Sequence, residues 1–311
     1  MVETANSSAA AALSREQAGR LMRLATYASV SVATVLIAFK FAAWLATDSV
    51  SLLSTLVDSL LDVLASLINL LAVRHALAPA DREHRWGHGK AEPLAALAQA
   101  AFISGSAMFL LIEAADRFIF PHTVTNSEVG IAVMLFSIAL TVALVGFQKF
   151  VVSRTGSPAI RADSLHYQVD LLVNLGVIVS LLMVSRLGWD LADPLIALAI
   201  AGYILWGVFG IGRVAIKQVM DEELPEDERR RIREIVLAHP DVRDLHDMRT
   251  RMSGTHTFIE LHVEMDGNIT LRQAHDIAEA VMYQVESAFP NAQVLIHQDP
   301  EGIEERRQEL D

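Results

Sequence analysis

Asp58 and Asp62 stand four residues apart in one apolar segment, and His166 and Asp170 stand four apart in another. At that spacing both members of a pair lie on one face of a helix. Ionisable groups at membrane depth are costly and face a bundle interior or a wet cavity, where they mark a path for ions or protons. A polar network that merely glues helices together is the blander explanation, yet three carboxylates and an imidazole exceed what glue requires. Three carboxylate oxygens and one imidazole nitrogen make a four-coordinate shell suited to Zn2+. Oxygens alone would also admit Mn2+ or Mg2+, so the nitrogen of His166 is the candidate selectivity group. The chain has no cysteine, which excludes thiolate ligation and disfavours Cu(I).

The same four residues imply a driving force. Metal binding needs ionised carboxylates and neutral imidazole, so it expels protons that the crowded, poorly hydrated acids otherwise take up. If the helices open alternately to either side, that competition becomes metal/proton exchange.

Two further groups carry ligand chemistry. Asp81, His84 and His88 lie in Asp81-Arg-Glu-His-Arg-Trp-Gly-His-Gly-Lys90. The spacing of the two histidines suits a helix, but Gly87 and Gly89 argue against one there, and a solvated basic loop explains the segment equally well. His246, His262, His275, His297 and Asp299 are scattered through the last ninety residues and meet only if the fold brings them together. Along an extended segment, His297 and Asp299 share a side.

These residues need rigid supports, and the hydropathy pattern supplies them. The chain of 311 residues is 52% hydrophobic. Its apolar residues fall into six blocks of membrane-spanning length, about 23–47, 50–73, 91–114, 129–152, 162–184 and 192–214. Lys and Arg cluster before the first block, between the second and third, around the junction of the fourth and fifth, and after the sixth, which predicts both termini on the cytoplasmic side. Lys40 is expected to snorkel from the outer end of the first span.

Charge divides the chain. Residues 221–311 hold 22 acidic and 10 basic residues, while the preceding part is balanced at 15 of each. The expected organisation is a disordered tail over residues 1–20, a six-helix transmembrane domain over 21–220, a soluble acidic domain over 221–300 and a charged tail over 301–311. An acidic surface excludes nucleic acid as a partner and suits cations. Within that domain the periodicity predicts a helix from Pro225 to about Ala238, strands over 242–251 and 258–265, a helix over 271–288 and a short strand over 293–297. The expected fold class is a membrane all-α six-helix bundle plus a small α+β domain of order αββαβ, with its helices on one face of the sheet.

Several motifs together resemble one family. Val57-Asp-Ser-Leu-Leu-Asp62, Gly87-His-Gly-Lys-Ala-Glu92, Arg161-Ala-Asp-Ser-Leu-His-Tyr-Gln-Val-Asp170, Arg249-Thr-Arg251 and Ile296-His-Gln-Asp-Pro300 are similar to those of the cation diffusion facilitators, in their bacterial zinc, cadmium and ferrous-iron efflux branch. The resemblance implies a transporter and not an enzyme, a homodimer in the bacterial inner membrane, with Zn2+ as cargo and regulator and Cd2+ or Fe2+ as further substrates. It implies that Asp58, Asp62, His166 and Asp170 form the transport site and that Asp81, His84 and His88 form a site linking metal occupancy to conformation. His246, His262, His275, His297 and Asp299 would form a binuclear site in a metallochaperone-like cytoplasmic domain, and Lys90 and Asp221 a salt bridge at the base of the bundle. Two other functions stay open on the residues alone: a metal-sensing receptor or scaffold that transports nothing, and an intramembrane metalloenzyme, which lacks a His-Glu-x-x-His or nucleophile arrangement.

Overall fold

Six long helices open the chain: α1 (Arg15–Thr47), α2 (Val50–Ala76), α3 (Ala91–Ile119), α4 (Glu128–Thr155), α5 (Pro158–Leu187) and α6 (Ala192–Val219). The structure, a computed structural model, describes residues 15–47, 50–119, 128–189 and 191–302. Among these, every long helix except α5 is long and apolar enough to cross a membrane. At 30 residues α5 is as long as the others, but it carries Asp163, His166, Gln168 and Asp170 in its first half and Asn174 just beyond. Leu24, Phe109, Trp206 and Phe209 are more than half exposed, the outward apolar surface that a lipid environment would cover.

Helix boundaries depart from the hydropathy blocks where polar residues extend the helices. Residues 15–20, expected to belong to a tail, are the first turns of α1, where Arg20 pairs with Glu16 at 2.7 Å. Residues 1–14 and 303–311, the remainder of the two expected tails, lie outside the described residues. α2 continues three residues past Val73, and α5 begins at Pro158, four residues before the apolar block. Ser157 caps α5 by accepting from the Ile160 backbone N–H at 3.3 Å, and Pro158 takes the first helical position, which needs no N–H.

Small residues let the helices approach. Ala96, Ala100, Ile103 and Ala107 form a stripe on α3 that meets Ile204, Ile211 and Ala215 of α6 and Ala162, Leu165 and Val169 of α5. A Cβ on Gly176 of α5 would lie 2.7 Å from the Cδ1 of Ile200, so a larger residue there would force the side chain of Ile200 on α6 to turn aside. Lys40 turns inward and donates to the Ser59 hydroxyl of α2 at 2.6 Å, a correction to the expected snorkelling: a buried acceptor was within reach of the amine.

The second compact unit begins at Met220. It contains α7 (Glu226–Leu237), β1 (Asp244–Ser253), β2 (His256–Met265), α8 (Leu271–Ala288) and β3 (Ala292–Pro300), in the order the periodicity predicts. The sheet order is β1-β2-β3, with β1 antiparallel and β3 parallel to β2. A parallel pair needs a crossover, and α8 supplies it. Thr270 and Gln273 form a capping box that starts α8. Ile259, Leu261, Val263 and Met265 alternate along β2 and pack with Ile232 and Val236 of α7 and Ala278, Val281 and Val285 of α8. Each large aliphatic buried there contributes about 1.5–3 kcal/mol. Both helices therefore cover one face, leaving the even-numbered residues of β2, including His262, on the other.

Candidate metal centres

Helices α2 and α5 bring together Asp62, His166 and Asp170. One ligand atom from each lies within 4.8 Å of the others, and His166 Nε2 stands 3.1 Å from Asp62 Oδ1. His166 is nearly sealed, and the two carboxylates are half-buried. Asp58 lies one turn before Asp62 on α2, but its side chain falls outside the described residues. Along the axes, Asp62 lies about 21 Å from the end of α2 at Ala76, and His166 about 12 Å from the start of α5.

The sequence reading missed Asp163, one turn before His166. It is fully buried and accepts from Ser29 of α1 at 2.5 Å, Gln148 of α4 at 2.7 Å and Gln99 of α3 at 3.4 Å. Tyr167 joins the same group by donating to the Ser29 carbonyl at 3.2 Å, and its hydroxyl pairs with Ser66 of α2 at 2.8 Å. One carboxylate on α5 thus ties three other helices to the helix that carries His166 and Asp170. The signal was available: Asp163, His166, Tyr167 and Asp170 follow the three-four spacing of one helix face.

Outside the bundle, the loop between α2 and α3 gathers Asp81, His84 and His88. Asp81 Oδ1 accepts from the backbone N–H groups of Glu83 at 2.9 Å and His84 at 2.6 Å, an Asx-type turn that shapes the loop without a helix. Those bonds, with the His84 backbone the largest effect, hold the Asp81 carboxyl below its ordinary value of 3.8. Its other oxygen lies 3.3 Å from His88 Nε2. Gly87, at φ 80°, reverses the chain between the two histidines, which is why ligands four apart converge here without helical spacing.

In the α+β unit, strand register does the work. His246, His262 and His297 are direct partners across β1, β2 and β3, so the three imidazoles form one row on the face away from α7 and α8. Asp299, two residues beyond His297, is 5% exposed and divides its oxygens. Oδ2 meets His246 Nε2 at 3.1 Å and His262 Nδ1 at 2.8 Å, and Oδ1 meets His297 Nε2 at 3.1 Å. Burial alone would raise this carboxyl; the hydrogen bond from His262, the charges of His297 and His262 and the bond from His246 outweigh it and hold the group below 3.8. His275 does not join the row. It is exposed on α8, whose buried side packs against the opposite face of the sheet.

Lys90 and Asp221 fall in different compact units. Within its own unit Lys90 donates to the Val219 carbonyl at 3.4 Å, and Asp221, at φ 55°, accepts from Arg251 at 3.4 Å.

The sequence matches two family models, the cation efflux transmembrane domain over residues 26–220 and the cation efflux protein cytoplasmic domain over residues 224–301. The chain belongs to the cation efflux family. Cation-efflux pump FieF of Shewanella oneidensis is 47% identical over 283 residues, covering 91% of this chain and 95% of the relative. The protein of the same name from Pectobacterium carotovorum is 50% identical over 281 residues, covering 90% and 93%. A solved structure of the metal-bound C-terminal domain of the CzcD transporter from Thermotoga maritima, 29% identical, covers 25% of this chain and 93% of its own, at a TM-score of 0.25 that adds nothing to the fold assignment. As a cation efflux protein, the chain is a membrane transporter, and its relatives are named as pumps. The membrane trio and the loop fall within the transmembrane match, and the histidine row within the cytoplasmic one.

Proposed function

We propose that this protein exports a divalent metal ion across the bacterial inner membrane in exchange for protons, by alternating access, as a homodimer with both termini in the cytoplasm. Zn2+ is the principal cargo, and Cd2+ and Fe2+ fit the same shell. The observation that carries the reading is the meeting of Asp62, His166 and Asp170 from two different helices. Asp58, on the same face of α2 as Asp62, would complete three oxygens and one nitrogen, a set that suits Zn2+. A metal bound there requires the acids ionised and the imidazole neutral, so its arrival releases protons and its departure admits them. α5 counts as the sixth span: its polar residues face the bundle, where Asp163 and His166 are buried. The loop and the histidine row are metal sites that regulate or retain.

Proteoliposomes carrying a pH-sensitive dye test this reading. Addition of Zn2+ should drive metal inward with a matching outward flow of protons, and an imposed pH gradient should accelerate or slow it according to sign. Metal uptake indifferent to the pH gradient would contradict the exchange.

A further inference from the structure

The loop cluster of Asp81, His84 and His88 has a neighbour that none of the ligand sets above includes. His75 stands in the last turn of α2, exposed to solvent, and its ring centre lies 4.4 Å from that of His88. On the other side His84 lies 4.6 Å from the same ring. Two imidazoles held by one tetrahedral Zn2+, with bonds of about 2.0–2.1 Å, place their ring centres roughly 5 Å apart. The corresponding spacings in the histidine row of the C-terminal domain are 4.5 and 5.3 Å. The ring of His75 is therefore near enough to that of His88 for the two to share a metal, once its nitrogen turns to join those of Asp81, His84 and His88, whose ligand atoms already lie within 4.8 Å of one another.

Position and chemistry both favour ligation over simple stacking. His88 is buried, and its Nδ1 has no hydrogen-bond partner among the described residues, an unfavourable state that a rearrangement on metal binding would relieve. His75 has an exposed side chain at a helix end, so its ring can turn towards the loop without disturbing the core. The turn after it is fixed by the bond from the Ala78 N–H to the His75 carbonyl at 2.9 Å, which directs the chain from α2 back into Asp81.

We propose that His75 is a fourth protein ligand of the loop site, giving one carboxylate and three imidazoles around the metal. This rests on the loop being a metal site. A closed four-ligand shell leaves no position for water and belongs to metals that are retained, unlike a three-ligand site open to exchange. It would also fasten the end of α2, the helix that carries Asp62, to residues 81–88, so that occupancy of the loop restrains a helix of the transport site.

The test uses the full chain in detergent with the other clusters removed by Asp62→Ala, His166→Ala, His262→Ala and Asp299→Ala. Zn2+ bound to this background is examined by X-ray absorption at the zinc edge and by competition with a chelator. Three imidazoles are expected, falling to two with His75→Ala and also with His75→Gln. The affinity should drop by roughly 10–100-fold, the range seen for loss of groups that merely orient a metal ligand, or more. Unchanged gel-filtration and circular-dichroism profiles confirm that the variants fold. Should both His75 variants keep the imidazole count and affinity while His84→Ala lowers them, His75 is a stacked neighbour and the loop site stands without it. Should His84→Ala also change nothing, the loop is not a metal site and both statements fall.

Discussion

The pocket between α2 and α5 and the histidine row of the C-terminal domain use the same kinds of side chain and hold them in opposite ways. In the row, backbone register across three strands fixes the imidazoles, and one carboxylate of 5% exposure touches all three. The membrane pocket has no such lattice: its ligands sit on two helices, where His166 pairs with Asp62 at 3.1 Å. A site set by strand pairing stays assembled as long as the sheet does. A site shared by two rods can be made and unmade by sliding or tilting one of them, which is what a cargo site requires and a retention site does not.

Substitutions can break that comparison. The largest effect should come from Asp299→Ala, which removes the one group shared by His246, His262 and His297. Isothermal titration of Zn2+ should show the C-terminal sites weakened by on the order of a hundredfold, with the membrane site unchanged. Equal weakening of both would mean that the two regions are not independent. Next is Asp163→Ala, which removes the acceptor shared by Ser29, Gln99 and Gln148; Ser29 keeps the Ala25 carbonyl and Gln148 the Ser29 hydroxyl, so the cost of about 1–3 kcal/mol for an unpaired donor falls on Gln99. Thermal melting in detergent should show the bundle destabilised, and Asp163→Asn should recover part of the loss.

Smaller effects sharpen the contrast. His166→Asp replaces the one nitrogen of the membrane set with oxygen, and relative preference should move towards Mn2+ by on the order of tenfold in competitive titration. An unchanged ranking would remove His166 from the selectivity role. The smallest effect is on acid stability. The folded pKa of Asp299 is depressed, so its stabilising contribution is present above 3.8 and is lost as pH falls through its lower folded value. Hydrogen exchange in β2 and β3 of metal-free protein should show wild type better protected than Asp299→Asn at neutral pH, with the difference closing below 3.8.

Much of this arrangement was legible from local pattern. Apolar blocks of helix length, the i, i+4 acid and histidine pairs, and the alternation of β2 are short-range features, and the approximate positions of α7, α8 and the three strands followed from them. What depended on long-range pairing was not. β3 runs to Pro300, beyond the expected end at His297, because Glu264 and Asp299 pair across the parallel strands. The alignment of His246 with His262 and His297 is likewise a matter of register, and a bulge between His246 and Arg249, with Asp247 at φ 45°, interrupts it in β1. Asp163 was passed over because it stands at the edge of the apolar block, where a carboxylate is ordinarily solvated. Its burial is a consequence of α5 beginning at Pro158 and of four helices closing around it.

The central claim is that the acids and imidazole shared by α2 and α5, and not the C-terminal row, move the metal. Zn2+ flux into proteoliposomes should be measured for wild type, Asp62→Ala and Asp299→Ala under one pH gradient. The account predicts background flux for Asp62→Ala and substantial, proton-coupled flux for Asp299→Ala. Wild-type flux in Asp62→Ala would contradict it.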